Sequence, residues 1–346
     1  MQPMLRSVVA LPKAHLHLHF TGSMRIGSVH DLARKHGLSL PDALRTSWPP
    51  QLSGADERGW FRFQRLYDAA RHCVQDESDL RRVVREAAED DATEGSRWLE
   101  IQVDPTTYAA RLGGVTPTLE IVLDEARSAS DDLGIGVGVI VAASRMRHPF
   151  EARTLARLAA RHVGEGPGAV IGFGLSNDER RADTRDFAPA FSLARRAGLP
   201  SVPHAGELLG PRAIGETLDT LAPTRLGHGV RSVESDEILH RIVDGGVALE
   251  VCPGSNVALG VYATAAQVPL RRLVDAGAQI ALGADDPMLF GSRLADQYRS
   301  AREDHGFTDG QLAELARSSV RVSFAPEGIK KQTLADIDAW LSADPA

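Results

Sequence analysis

The sequence predicts a (β/α)8 barrel, and three observations carry that prediction. Eight short runs rich in Val, Ile, Leu and Gly are spread through 346 residues. Segments with helical spacing separate them, and polar clusters rich in histidine stand at the ends of several of the runs. Strands of a parallel sheet are covered on both faces and so read as nearly continuous apolar runs. Their alternation with helices is the mark of an α/β fold.

In chain order, strand 1 is read at Lys13–His19. A long connection follows, about residues 23–95, with three or four helices that include Gly59–Cys73 and Asp79–Ala92. No Pro/Gly/Ser linker marks a boundary there. The chain is therefore read as a single barrel domain over 1–346, with these helices inserted after strand 1. The remaining strands are read at Trp98–Asp104, Gly134–Ala142, Ala169–Leu175, Leu199–His204, Arg225–His228, Ala248–Cys252 and Gln279–Ala284. Helices are read between them at Pro117–Leu133, Pro149–His162, Arg185–Ala197, Pro211–Leu221, Glu234–Asp244 and Pro269–Ala276. Several begin with Pro, which the first helical turn tolerates. Several end at Gly134, Gly198, Gly245 or Gly277, as left-handed C-caps do. Arg293–Asp304, Asp309–Val320 and Leu334–Leu341 are extra helices at the C-terminus.

Composition narrows the function classes. The chain has 39 basic and 46 acidic side chains, a net charge of −7. Mild acidity argues against a nucleic-acid partner. No apolar run approaches the roughly 20 residues of a membrane helix. Cys73 and Cys252 are too few for a disulfide framework, and the N-terminus lacks the apolar core of a secretory signal. A cytoplasmic protein acting on a small molecule is the expectation.

The C-terminal ends of barrel strands form the active face. Strand 1 ends His15-Leu16-His17-Leu18-His19, strand 5 His204-Ala205-Gly206-Glu207, strand 6 Gly227-His228-Gly229 and strand 8 Asp285-Asp286-Pro287. Side chains at i and i+2 of a strand point the same way. His17 and His19 can thus converge on one ion, with His204 and an aspartate completing an N/O site that suits Zn²⁺ first. Periodicity nominates His15 equally, as ligand, as partner of a ligand or as a packed histidine. Adjacent carboxylates such as Asp285 and Asp286 repel, and a bound cation explains their placement.

Pro12-Lys13-Ala14-His15-Leu16-His17-Leu18-His19-Phe20-Thr21-Gly22 resembles the opening motif of the adenosine deaminase family. So do His204-Ala205-Gly206-Glu207, Gly227-His228-Gly229, Cys252-Pro253-Gly254-Ser255-Asn256 and Asp285-Asp286-Pro287, in order across essentially the whole chain. The resemblance implies a zinc-dependent barrel that hydrolytically deaminates 6-aminopurines, adenosine or 2′-deoxyadenosine first. It implies His17, His19, His204 and Asp285 as ligands of one Zn²⁺ per chain. Glu207, His228 and Asp286 become the catalytic groups, and His19, Thr21, Asn177 and Asp286 the substrate contacts. Wider relatives bridge two metals with a carboxylated lysine on strand 4. No lysine lies between Lys35 and Lys330 here, so one metal is expected.

The chain departs from the family pattern in three places. His15 stands where Glu is common, Thr21 where an Asp that contacts the ribose 5′-hydroxyl is common, and Asn177 where Gly is usual. A sister class acting on free adenine carries Glu at the Thr21 position and Asp at the Gly227 position. A class acting on aminodeoxyfutalosine, a 5′-modified adenosine, also lacks the Asp at the Thr21 position. Both are alternatives, and a non-catalytic binding relative is a third. Every expected acid, base and ligand position is filled, which favours an enzyme. The aromatics Trp60, Phe61, Phe63 and Tyr67 are read either as a cover over the barrel mouth or as helix packing.

Overall fold

A computed structural model describes residues 5–52, 54 and 57–344. Eight parallel strands follow one another round the barrel in chain order. They are β1 (Lys13–His19), β2 (Ser96–Val103), β3 (Gly136–Ser144), β4 (Val170–Ser176), β5 (Ser201–Ala205), β6 (Arg225–His228), β7 (Ala248–Val251) and β8 (Ile280–Leu282). A bridge between Leu18 and Asp285 joins β8 back to β1.

Four helices stand between β1 and β2: α1 (Ile26–Lys35), α2 (Asp42–Arg45), α3 (Glu57–His72) and α4 (Glu77–Thr93). The outer helices continue with α5 (Val115–Leu133), α6 (Pro149–Ala159), α7 (Ala188–Arg196), α8 (Pro211–Leu221), α9 (Asp236–Asp244), α10 (Pro253–Ala258) and α11 (Leu270–Asp275). After β8 come α12 (Pro287–Phe290), α13 (Leu294–Glu303), α14 (Asp309–Val322) and α15 (Glu327–Ser342). No helix among the described residues is long and apolar enough to cross a membrane.

The strand readings hold, with shifts of at most two residues at their ends. Gly134 caps α5 with a left-handed φ of 69°, so β3 starts two residues later than expected. At the end of α9 the left-handed residue is Gly246 (φ 63°), whereas Gly245 stays in the right-handed region. The Arg185 region opens as a 3-10 turn, Thr184–Phe187, before α7. The last helix begins at Glu327 rather than at Leu334, because Pro326 starts it. The short helices α10 and α12 carry no apolar period long enough to be read from sequence.

Outward residues of β2 and β3, among them Leu99, Ile101, Val137, Val139 and Val141, join one apolar cluster with Leu80, Val83 and Val84 of α4 and Leu119 and Val122 of α5. Burying each such side chain contributes roughly 1.5–3 kcal/mol. On the opposite face β3 opens with Gly136 and Gly138 because Trp98 and Ile171 lie against them. A Cβ at Gly138 would meet the Trp98 ring at 2.8 Å.

Candidate active site

The site is built at the C-terminal strand ends. His17 and His19 project from β1, His204 from β5, His228 from β6 and Asp285 from the turn after β8. The ring centroids of His17 lie 5.2 Å from His19, 4.7 Å from His204 and 4.8 Å from His228. Asp285 Oδ1 lies 3.2 Å from His19 Nε2 and 3.6 Å from His17 Nε2. Two non-glycine residues here adopt left-handed backbone, His228 (φ 67°) and Asp285 (φ 63°). Such strain persists only where surrounding structure holds it, and it gathers at functional sites.

The donor set fits a divalent metal. His17 Nε2 and His204 Nε2 are buried without a hydrogen-bond partner among the described residues. Buried polar atoms are otherwise nearly always paired. His17 Nδ1 is hydrogen-bonded to Glu250 at 2.8 Å, so Nε2 is the ring nitrogen turned toward the cluster. Gly227 makes the space beneath: a Cβ there would lie 2.5 Å from His204 and 2.9 Å from His17.

Glu207 stands beside the cluster, with Oε2 3.6 Å from His228 Nε2. Burial, reinforced by the charges of Asp285 and Glu179, pushes its carboxyl pKa well above the usual range. Burial takes the His228 imidazolium down to about 3, so that ring is neutral. Asp286 is also pushed up by burial and by Asp285, and its Oδ1 has no partner among the described residues. Burial raises Asp285 too, but His17 and His19 outweigh it and hold the carboxylate well below its usual range. The four groups thus bring carboxyls held protonated by burial, a neutral imidazole and an ionised carboxylate together in one cluster.

His19, His204, Glu207, His228, Asp285 and Asp286 line a cavity of about 340 Å³, a volume typical of small-molecule sites, roughly 300–1,000 Å³. Thr21 and Asn177 both line it. Thr21 Oγ1 is hydrogen-bonded to Tyr108 Oη at 2.6 Å. Asn177 has φ 78°, which explains why glycine suits this position and why Asn replaces it at little cost. Its side-chain amide donates to Gln64 of α3 at 3.2 Å across the mouth. Trp60, Phe63 and Tyr67 of α3 line the cavity, whereas Phe61 is 65% exposed and points elsewhere.

His15 stands apart from the cluster. Its Nδ1–H donates to Asp91 at 2.9 Å, and its Nε2 accepts from the Ala284 N–H at 3.0 Å. The pairing register of β1 shifts between His15 and Leu18, which breaks the alternation that nominated it. With both nitrogens used, it is a packed histidine. Cys252 is likewise a buried thiol, with burial raising its pKa well above the usual value.

Two supporting groups escaped the sequence reading. Glu179, after β4, accepts the backbone N–H groups of Glu207, Leu208 and Leu209 at 3.1, 3.1 and 2.7 Å. It clamps the loop that carries Glu207. Glu250 holds His17 from below. A charged residue within the apolar run Ala248–Val251 was the available signal for the second; Glu179 had none, since acidic loop residues are common.

This arrangement, a (β/α)8 barrel with a His/Asp donor cluster at its strand ends, is that of a barrel hydrolase. The adenosine deaminase family profile matches residues 12–340, and the chain belongs to that family. A protein of Streptomyces coelicolor named putative adenosine/adenine deaminase is 60% identical, over 98% of this chain and 99% of its own. An adenine deaminase of Rhizobium leguminosarum bv. trifolii is 33% identical, over 94% and 98%. The crystal structure of an adenine deaminase from Arthrobacter aurescens superposes with a TM-score of 0.88 at 29% identity, covering 96% of this chain and 100% of that one.

Proposed function

We propose that the protein hydrolytically deaminates the 6-amino group of a purine nucleoside, adenosine or 2′-deoxyadenosine, with one Zn²⁺ per chain held by His17, His19, His204 and Asp285. The observation that carries the reading is the pair of imidazole nitrogens without a partner among the described residues, His17 Nε2 and His204 Nε2, with His204 and Glu207, whose carboxyl pKa burial raises, lining one cavity.

A Zn²⁺ held by these four residues would supply a more acidic water, its pKa falling from 15.7 to about 7. The chain's own groups do the rest. His228, neutral and next to Glu207, orients the attacking water and takes its proton. Asp286 holds the same water or the purine through its unpaired Oδ1. Glu207, kept protonated by burial, gives its proton to purine N1 and so makes C6 electrophilic. His19, Thr21 and Asn177 contact the substrate.

The cavity runs beyond the space a flat base needs, reaching Thr21, Tyr67, Arg71 and Tyr108, which supports a ribosyl substituent. Gly227 supports the same choice. The aspartate of the free-adenine class would displace His204, because even a Cβ lies 2.5 Å from that ring. A second reading, a 5′-modified adenosine of the aminodeoxyfutalosine type, is favoured by Thr21, whose hydroxyl is uncharged and engaged with Tyr108, and free adenine stands as a further alternative. Names of relatives include both adenosine and adenine.

A panel of adenosine, 2′-deoxyadenosine, adenine and 5′-modified adenosines, followed by loss of ultraviolet absorbance, decides between them. Absence of adenosine turnover beside fast turnover of another purine overturns the first choice.

A further inference from the structure

Beneath the histidine cluster the barrel interior holds a string of buried charges. Glu250 Oε2 accepts from His17 Nδ1–H at 2.8 Å, and Glu250 Oε1 accepts from Arg225 Nε at 2.7 Å. Arg225 Nη2 donates to Glu100 Oε2, and Nη1 donates to the Val322 carbonyl at 2.9 Å. Glu100 Oε1 in turn accepts from the Trp98 indole at 2.9 Å and from the Phe324 N–H at 2.6 Å. The guanidinium of Arg225 lies 3.8 Å over the Phe324 ring. Glu100, Arg225 and Glu250 are fully excluded from solvent.

Barrel interiors are ordinarily filled by layers of branched aliphatic side chains. A buried ionic layer costs stability relative to such packing, so its retention calls for a use. Two carboxylates and one guanidinium leave a net charge of −1. Outside the triad, the ionic partner of these groups among the described residues is His17. The negative charge is therefore directed at the imidazole whose other nitrogen lies unpaired in the cluster.

We propose that the Glu100–Arg225–Glu250 triad is a positioning device for the metal. Glu250 accepts the hydrogen bond from His17 Nδ1–H, which fixes the ring orientation and the tautomer that presents Nε2 to the ion. Arg225 and Glu100 hold the Glu250 carboxylate in register. Together with Asp285, the triad brings the buried negative charge to −2, matching a divalent cation. The proposal rests on the reading of His17 as a ligand.

The test uses the full chain, with zinc affinity measured by competition against a chromophoric chelator. Glu250→Gln keeps an acceptor oxygen but loses the charge, and a weakening of roughly 10–100-fold is expected. Cobalt substitution should show an altered visible spectrum in the same variant. Should that variant fail to fold, histidine ¹⁵N spectra of the zinc-loaded wild type give the answer directly. His17 is expected with Nδ1 protonated and Nε2 coordinated. Coordination through Nδ1 overturns the proposal. So does an Nε2-bound His17 together with unchanged zinc affinity in Glu250→Gln, which refutes the positioning role alone. A His17 ring with no coordination shift refutes the ligand assignment and the proposal with it.

Discussion

The backbone N–H of His19 donates to the carbonyl of Asp285 at 3.0 Å, and the Asp285 N–H donates to the His17 carbonyl at the same distance. The seam that joins β8 to β1 is thus the piece of backbone that carries three of the four candidate ligands. Barrel closure and assembly of the donor set are one event, and substitutions in this seam should affect both.

Glu207→Gln is expected to bind zinc normally and to lose about 10²–10⁴-fold in kcat, the usual worth of a positioned acid. The proposed mechanism needs Glu207 protonated, and burial with Asp285 and Glu179 raises its pKa. Activity should persist on the acid side and fall as pH rises through that pKa. In the variant this alkaline limb should disappear from the kcat/KM profile. Near-normal turnover would remove Glu207 from the chemistry.

Metal analysis should find one ion per chain. Chelation should abolish activity, and zinc should restore it. Two ions per chain would contradict the single-site reading, which follows from the absence of any lysine between Lys35 and Lys330.

Glu179→Ala leaves the buried Glu207 N–H without an acceptor, at a cost of about 1–3 kcal/mol. The melting temperature should fall by several degrees. Because the loop holding Glu207 is released, kcat should fall more than KM rises, with zinc content unchanged. An unchanged kcat would mean the loop holds its shape without the clamp.

Thr21→Val tests the 5′ end. If the Thr21 hydroxyl meets the ribose 5′-hydroxyl, KM for adenosine should rise several-fold with kcat retained, and 5′-deoxyadenosine should be unaffected. Equal effects on both substrates would place Thr21 in packing against Tyr108 instead.

Lys13 gives a stability test with a definite sign. Burial lowers its pKa to about 7 from 10.5. Between those values the unfolded chain holds a proton that the folded chain lacks, so this residue's contribution to stability rises with pH across that window. Below about pH 7 its full penalty applies. Lys13→Met removes the titration but also the bond to the Glu94 carbonyl, a loss independent of pH. The melting temperature of the variant relative to wild type should therefore decline from pH 7 to pH 10. A flat difference would show that Lys13 stays charged when buried.

The sequence by itself determined the barrel and the end of it that matters. Apolar runs between helices can be buried only in a covered parallel sheet, and the pairs His17/His19 and Asp285/Asp286 are local in the chain, so their clustering is written in their spacing. What tertiary structure decided depends on contacts between distant strands. The shifted register of β1 removed His15 from the cluster and paired it with Asp91. Folding of α3 across the mouth selected Trp60, Phe63 and Tyr67 over Phe61 as cavity walls. Closure of the barrel brought Glu100, Arg225 and Glu250 from three strands under His17, and brought Glu179 to the loop of Glu207. Charge partners of this kind leave no periodic trace, because each lies on its own strand and meets the others only through the barrel interior.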